Sequence, residues 1–141
     1  MITAVIPLSQ MKFRLRTLLV VIATVSVLLA VPTFIHTTVI PANRLTNQRL
    51  IQIIGTRFEQ NGVLPKSPYI RLEDYPDLVD LQLEQDETGS LYNRWGEQIK
   101  VLPVGVGQFE DEKVMELSIY SSGPYGLGSN SLHSSFKHEA E

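Results

Sequence analysis

The spacing of apolar residues changes twice along this chain. From Leu15 to Ile35 (LRTLLVVIATVSVLLAVPTFI) apolar side chains are nearly continuous, interrupted after Arg16 only by Thr17, Thr24, Ser26, Pro32 and Thr33. A helix of that composition has no polar face for water. A short chain has too few apolar partners to surround it. Roughly twenty residues at ~1.5 Å each span about 30 Å, the hydrocarbon thickness of a bilayer. The run therefore predicts one transmembrane helix over 15–36, with membrane lipid as its surroundings. Its hydroxyls are expected to bond back to the preceding turn, which lowers their cost in lipid.

Beyond Pro41 the spacing becomes that of an amphipathic helix. Leu45, Ile51, Ile54 and Phe58 recur at helical intervals with Leu50 and Ile53 beside them, while Arg44, Asn47, Gln48, Arg49, Gln52 and Glu59 fill the polar positions. Pro41 suits a first helical turn, and Asn61-Gly62 supplies the stop. The expected helix covers 42–60, continuing the membrane helix or following it after a bend at Pro41.

The period then shortens. Pro65 and Pro68 mark an extended loop, and 72–83 reads as a short helix or irregular turn, with Asp74 or Asp77 as caps. Asp86 to Ser90 is a polar loop. Glu97–Val104 (EQIKVLPV) and Lys113–Tyr120 (KVMELSIY) read as strands, the second with Met115, Leu117 and Ile119 on one face. Gly105 to Glu112 would join them as a hairpin loop. Gly123–Ser131 (GPYGLGSNS) is a glycine-rich loop, and 134–141 is expected to be a frayed polar tail.

Charge sharpens this division. The 141 residues carry a net −3, but from Pro41 onward nine basic residues face fifteen acidic ones, a net of −6. An acidic domain repels phosphate backbones, so nucleic acid is excluded as a partner. Lys12, Arg14 and Arg16 precede the span, and nothing firmly basic lies between His36 and Asn43. The positive-inside rule then places a basic tail, 1–14, in the cytoplasm and the soluble domain, 37–133, in the periplasm or outside the cell, on a single-pass protein of the inner or cell membrane. A cleavable signal would need small residues at −1 and −3. Ala30 suits the first, but Leu28 is poor at the second, so an uncleaved anchor is expected. Met11 opens a compact basic lead, MKFRLRTLL, and is an alternative start.

Candidate chemistry is sparse. Without cysteine the chain has no disulfide, thiolate nucleophile or Cys-based zinc site. His36, His133 and His138 have no partner at metal-ligand spacing. Ser121-Ser122 follows a strand but lies in no G-x-S-x-G elbow. Gly123, Gly126 and Gly128 lack the lysine of a phosphate loop, and read as positions needing unusual backbone angles. Glu110-Asp111-Glu112 reads as a solvated loop tip, and Glu73, Asp74, Asp77 and Asp80 as capping and solubility charges. Trp95, beside Gly96, is suited to pinning a loop to a helix.

Three stretches share an order with one family. Phe58-Glu59-Gln60-Asn61-Gly62-Val63-Leu64-Pro65 matches a helix exit, Arg94-Trp95-Gly96 with Ile99 a turn into a strand, and Ile119-Tyr120-Ser121-Ser122-Gly123-Pro124-Tyr125-Gly126 a strand running into a glycine loop. In that order after a membrane helix, the chain resembles the major pseudopilins of type II secretion systems, themselves type IV pilin-like. The resemblance implies an α+β fold, in which the N-terminal transmembrane helix continues into an amphipathic helix packed on a small antiparallel β-sheet. It implies a structural or interaction subunit with no enzymatic activity, whose partners are other pseudopilin-like subunits or itself.

The departures bear on function. With Phe13 as the family's processing-site Phe, Lys12 stands where the family has Gly, and Thr17 where it has Glu. The family's terminal loop binds calcium. Here Tyr125 replaces an Asp, leaving the Leu127 carbonyl, Ser129 and Asn130 as a weak oxygen set with little carboxylate charge. The alternative reading is a membrane-tethered extracytoplasmic binding or accessory module outside any filament.

Overall fold

The computed structural model describes residues 7–109 and 112–139. Helix α1 spans Leu8–Phe34, a π-helical turn spans Ile35–Val39, and helix α2 spans Ile40–Asn61. The chain divides into two compact units, the first ending at Phe34 and the second beginning at Ile35.

In the first unit, the helical residues from Arg14 to Phe34 are exposed. The helical run Arg14–Asn61 is the one helix among the described residues long and apolar enough to cross a membrane. Two of its hydroxyls bond as the sequence predicts. Thr24 Oγ1 donates to the Val20 carbonyl at 2.8 Å, and Thr33 Oγ1 to that of Leu29 at 2.9 Å. Pro32 sits inside the helix.

The second unit is built on α2. The wide π turn precedes Pro41, whose ring would clash with the carbonyl four residues back in a regular α turn. Gly62 ends α2 as expected. It adopts φ +65° and its N–H bonds to the Phe58 carbonyl at 2.7 Å. The core-facing stripe of α2 comprises Leu50, Ile51, Ile54 and Phe58. Asn47, read as a solvent-facing position, is completely buried, while Leu45, read as part of the apolar stripe, is 46% exposed.

Two short 3₁₀ turns, Leu72–Asp74 and Pro76–Leu81, occupy the stretch expected as a helix or irregular turn. They add Leu78 and Leu81 to the core. The sheet is a five-stranded antiparallel meander in chain order: β1 Glu84–Gln85, β2 Leu91–Tyr92, β3 Gln98–Phe109, β4 Glu112–Ser121 and β5 Asn130–Glu139. The fold is therefore α+β, with a helix covering one face of an antiparallel sheet. On β4, Met115, Leu117 and Ile119 are fully buried, as the alternation predicts.

Two expectations are corrected. The loop predicted from Gly105 onward is strand through Phe109, because the register shift between Gly105 and Gly107 lets β3 keep pairing with β4. The tail predicted to fray from Ser134 belongs to β5, which pairs with β4 from Asn130 to Glu139. Its inward positions Leu132 and Phe136 pack against the core. Phe136 explains Gly55 in mid-helix, since a Cβ at Gly55 would collide with the Phe136 ring. Glu110 and Asp111, two of the three residues of the acidic loop tip, lie outside the described residues.

Candidate functional site

The most organised polar constellation lies where α2 begins. Asn43 and Asn47 continue the buried stripe of Leu50, Ile54 and Phe58 toward the N-terminus, and each is at least 99% buried. A buried amide needs partners, since an unpaired one costs about 1–3 kcal/mol. Asn47 Nδ2 donates to the Asn130 carbonyl at 3.2 Å and to Asn130 Oδ1 at 3.1 Å, while Asn47 Oδ1 accepts from Ser121 Oγ at 3.0 Å. Asn43 Nδ2 donates to the Gly128 carbonyl, and Asn43 Oδ1 accepts from Trp95 Nε1, both at 3.3 Å. Trp95 thus pins a loop to the helix, as its sequence setting suggested.

A third asparagine closes the cluster. Asn93 Oδ1 accepts from the Trp95 and Glu97 N–H groups at 3.0 and 3.1 Å, and its Nδ2 donates to the Ser122 carbonyl at 2.6 Å. Gly96, at φ +77°, lets the chain turn inside this clamp. Three segments are joined: the start of α2, the β2–β3 turn and the β4–β5 loop. Satisfied networks of this kind fix one geometry and rigidify what they join.

The β4–β5 loop is held close against the helix. A Cβ on Gly123 would strike Val39, and Gly128, at φ +62°, lies against Ile35 and Val39. The Gly123 N–H bonds to the Leu127 carbonyl at 2.7 Å. At the loop tip, Tyr125 stands at φ +56° and is 96% exposed. Bulky residues rarely adopt that left-handed conformation.

Of the expected oxygen ligands, Leu127 and Asn130 are engaged in these contacts and Ser129 is not brought into them. The Leu127 carbonyl faces the Gly123 N–H, Asn130 Oδ1 faces Asn47, and Ser129 is exposed. No carboxylate belongs to the loop, and no cluster of metal-ligating residues occurs among the described residues. This donor set fits a hard divalent cation poorly, because calcium sites draw their affinity from carboxylate charge.

A second polar site is the β1–β2 loop. Asp86 Oδ1 accepts from the Thr88 hydroxyl at 2.6 Å and from the Thr88 and Ser90 N–H groups at 2.9 Å, and Oδ2 accepts from the Tyr92 hydroxyl at 3.1 Å. The Thr88 hydroxyl bond, the largest influence, holds the Asp86 carboxyl below its ordinary range; desolvation, next in size, opposes it, and the bonds from the Ser90 N–H, the Tyr92 hydroxyl and the Thr88 N–H add to the lowering. The same bond to Asp86 pushes the Tyr92 phenol up. The loop is a turn stabilised by one carboxylate.

Of the histidines, His138 Nδ1 donates to the Glu59 carbonyl at 2.7 Å, tying the end of β5 to the last turn of α2. His133 Nδ1 lies 2.7 Å from Ser118 Oγ, and its Nε2 lies 3.8 Å from Glu116. Serine, histidine and carboxylate thus meet on the exposed face of the sheet. Hydrolysis also needs N–H donors for an oxyanion. β4 is a central strand, so its N–H groups are committed to β3 and β5.

The asparagine cluster escaped sequence reasoning because Asn is usually a surface residue. The available signal was position: Asn43 and Asn47 fall four residues apart on the stripe that continues through Leu50, Ile54 and Phe58. Comparison with protein families, curated proteins and solved structures finds no match to this chain.

Proposed function

We propose that this chain is a single-pass, membrane-anchored, pilin-like structural or interaction subunit whose work is contact rather than catalysis. One observation carries the reading: a single helical run begins in a stretch long and apolar enough to cross a membrane and continues as the spine of an antiparallel sheet domain. The apolar, exposed stretch from Arg14 to Phe34 supports membrane anchoring. The charges at Lys12, Arg14 and Arg16 support a cytoplasmic N-terminus and an extracytoplasmic domain. The buried polar clusters tie segments of the domain together, which suits a role in contact. In this reading the partners are other copies or pseudopilin-like subunits, as in a type II secretion-like apparatus.

A second reading has its own observation. Lys12 and Thr17 replace the Gly and Glu of the pseudopilin pattern, which favours a tethered accessory module outside any filament. Mass measurement of the mature protein and crosslinking from Leu45→Cys in membranes separate the two. A trimmed leader and multimeric crosslinks support the subunit. An intact N-terminus with only monomers supports the tethered module and contradicts assembly.

A further inference from the structure

The end of the soluble unit nearest the chain's exit from α1 differs in chemistry from the rest of the domain. It comprises the start of α2, the β2–β3 turn and the β4–β5 loop, held together by Asn43, Asn47 and Asn93. Segments 35–48, 93–96 and 121–135 contain Arg44 and Arg94 and no acidic residue, although the domain as a whole is acidic. Arg44 and Arg94 are exposed, and the Arg94 guanidinium lies 5.9 Å from the Trp95 ring. At the loop tip Tyr125 is 96% exposed and Leu127 46%. Tyr125 holds a left-handed backbone that bulky residues avoid, and such strain persists only where surrounding structure enforces it. The enforcing contacts here are the Gly123–Leu127 bond and the Asn43–Gly128 bond.

From these observations we infer that the β4–β5 loop, with Tyr125 and Leu127 at its tip and Arg44 and Arg94 nearby, is a second membrane contact that seats in the headgroup region of the bilayer holding α1. The inference rests on the anchored reading proposed above. Covalent continuity supplies the proximity: Gly128 lies against Ile35, which follows Phe34 by one peptide bond. Tyrosine and tryptophan favour the membrane–water interface, where the ring meets apolar chains and its polar atom meets water. Exposed Arg44 and Arg94 can pair with lipid phosphate groups, although Glu97 follows the β2–β3 turn. The contact would limit the domain's freedom to tilt on its single anchor, because the asparagine network couples the loop rigidly to α2.

The test uses the full-length chain in vesicles of phosphatidylcholine and phosphatidylglycerol. The chain has no cysteine, so Ser129→Cys, Val63→Cys and Ile22→Cys each carry one nitroxide, and Ser129→Cys leaves Tyr125 and Leu127 intact. The expected result is severalfold lower access of a water-soluble nickel chelate to position 129 than to position 63, with position 22 fully shielded. Adding Tyr125→Asp and Leu127→Asn to the position-129 variant should restore access. Access at 129 equal to that at 63, with 22 shielded, overturns the inference and leaves the anchor standing. Access at 22 overturns the anchor and the inference together. Shielding at 129 that disappears when protein is diluted in lipid identifies a second copy as the occupant and overturns the lipid contact.

Discussion

Helices α1 and α2 belong to one run of chain; both turn threonine hydroxyls back on themselves, Thr46 of α2 bonding to the Ala42 carbonyl at 3.0 Å, but only α2 also carries buried amides. In α1 the hydroxyls of Thr24 and Thr33 turn back to their own helix, so the exposed surface presents methyl and methylene groups. In α2 the amides of Asn43 and Asn47 reach outward to the β2–β3 turn and the β4–β5 loop. The first pattern suits a helix surrounded by lipid, where self-satisfaction is the cheapest arrangement. The second suits a helix that must hold a particular domain in a particular register. Secondary structure is shared; in the anchored reading proposed above, what differs is the solvent each helix is built for.

The largest expected effect separates the two helices by their cores. Phe58→Ala should destabilise the soluble unit by about 3–5 kcal/mol, from lost burial and the cavity left behind. Val27→Ala, on exposed α1, should change that unit's stability by no more than about 0.5 kcal/mol. Denaturant titration in detergent, followed through the single tryptophan, Trp95, measures both. Val25→Arg makes the reverse comparison: a charge in mid-α1 should cost roughly 2.5–3.5 kcal/mol of membrane insertion. The same change at exposed Leu45 should leave insertion unaltered in a translocon assay.

Asn47→Ala comes next, with an expected loss of about 1–3 kcal/mol, because Ser121 and Asn130 lose their buried partner. Thr24→Val, which removes a hydroxyl bonded only within α1, should leave the soluble unit's melting unchanged. Gly55→Ala should destabilise by about 1–3 kcal/mol through overpacking. On a Phe136→Ala background the same change should stabilise by up to about 1 kcal/mol, the ordinary helix preference.

The smallest effect lies in acid. Asp86 titrates below its unfolded value, so its contribution is complete above the unfolded pKa of about 4. It is lost as pH falls through the lower folded value. Asp86→Asn should flatten stability against pH in that window and leave the profile above it unchanged, read by thermal melts across the acid range.

Both helices and the buried face of β4 are legible in the amino-acid sequence through the spacing of strongly apolar residues, and the Gly62 stop through the Asn61-Gly62 pair. β5 is not legible there. Its inward positions include Ser134 and His138, with only Leu132 and Phe136 to mark the alternation. The extension of β3 is hidden by Gly105 and Gly107, which read as turn residues but form a bulge. The asparagine cluster depends on contacts spanning more than eighty residues of sequence, such as Asn47 to Asn130, which local pattern does not encode. Trp95 can be read from the chain because an indole beside glycine limits the available geometries.

The central claim is that α1 is built for lipid while the unit from Ile35 onward folds in water. Alkaline carbonate washing of membranes from cells expressing the full-length chain tests it most directly. The account predicts that the protein stays in the membrane pellet and enters the supernatant only with detergent. Recovery of the full-length chain, α1 included, in the carbonate supernatant would contradict it.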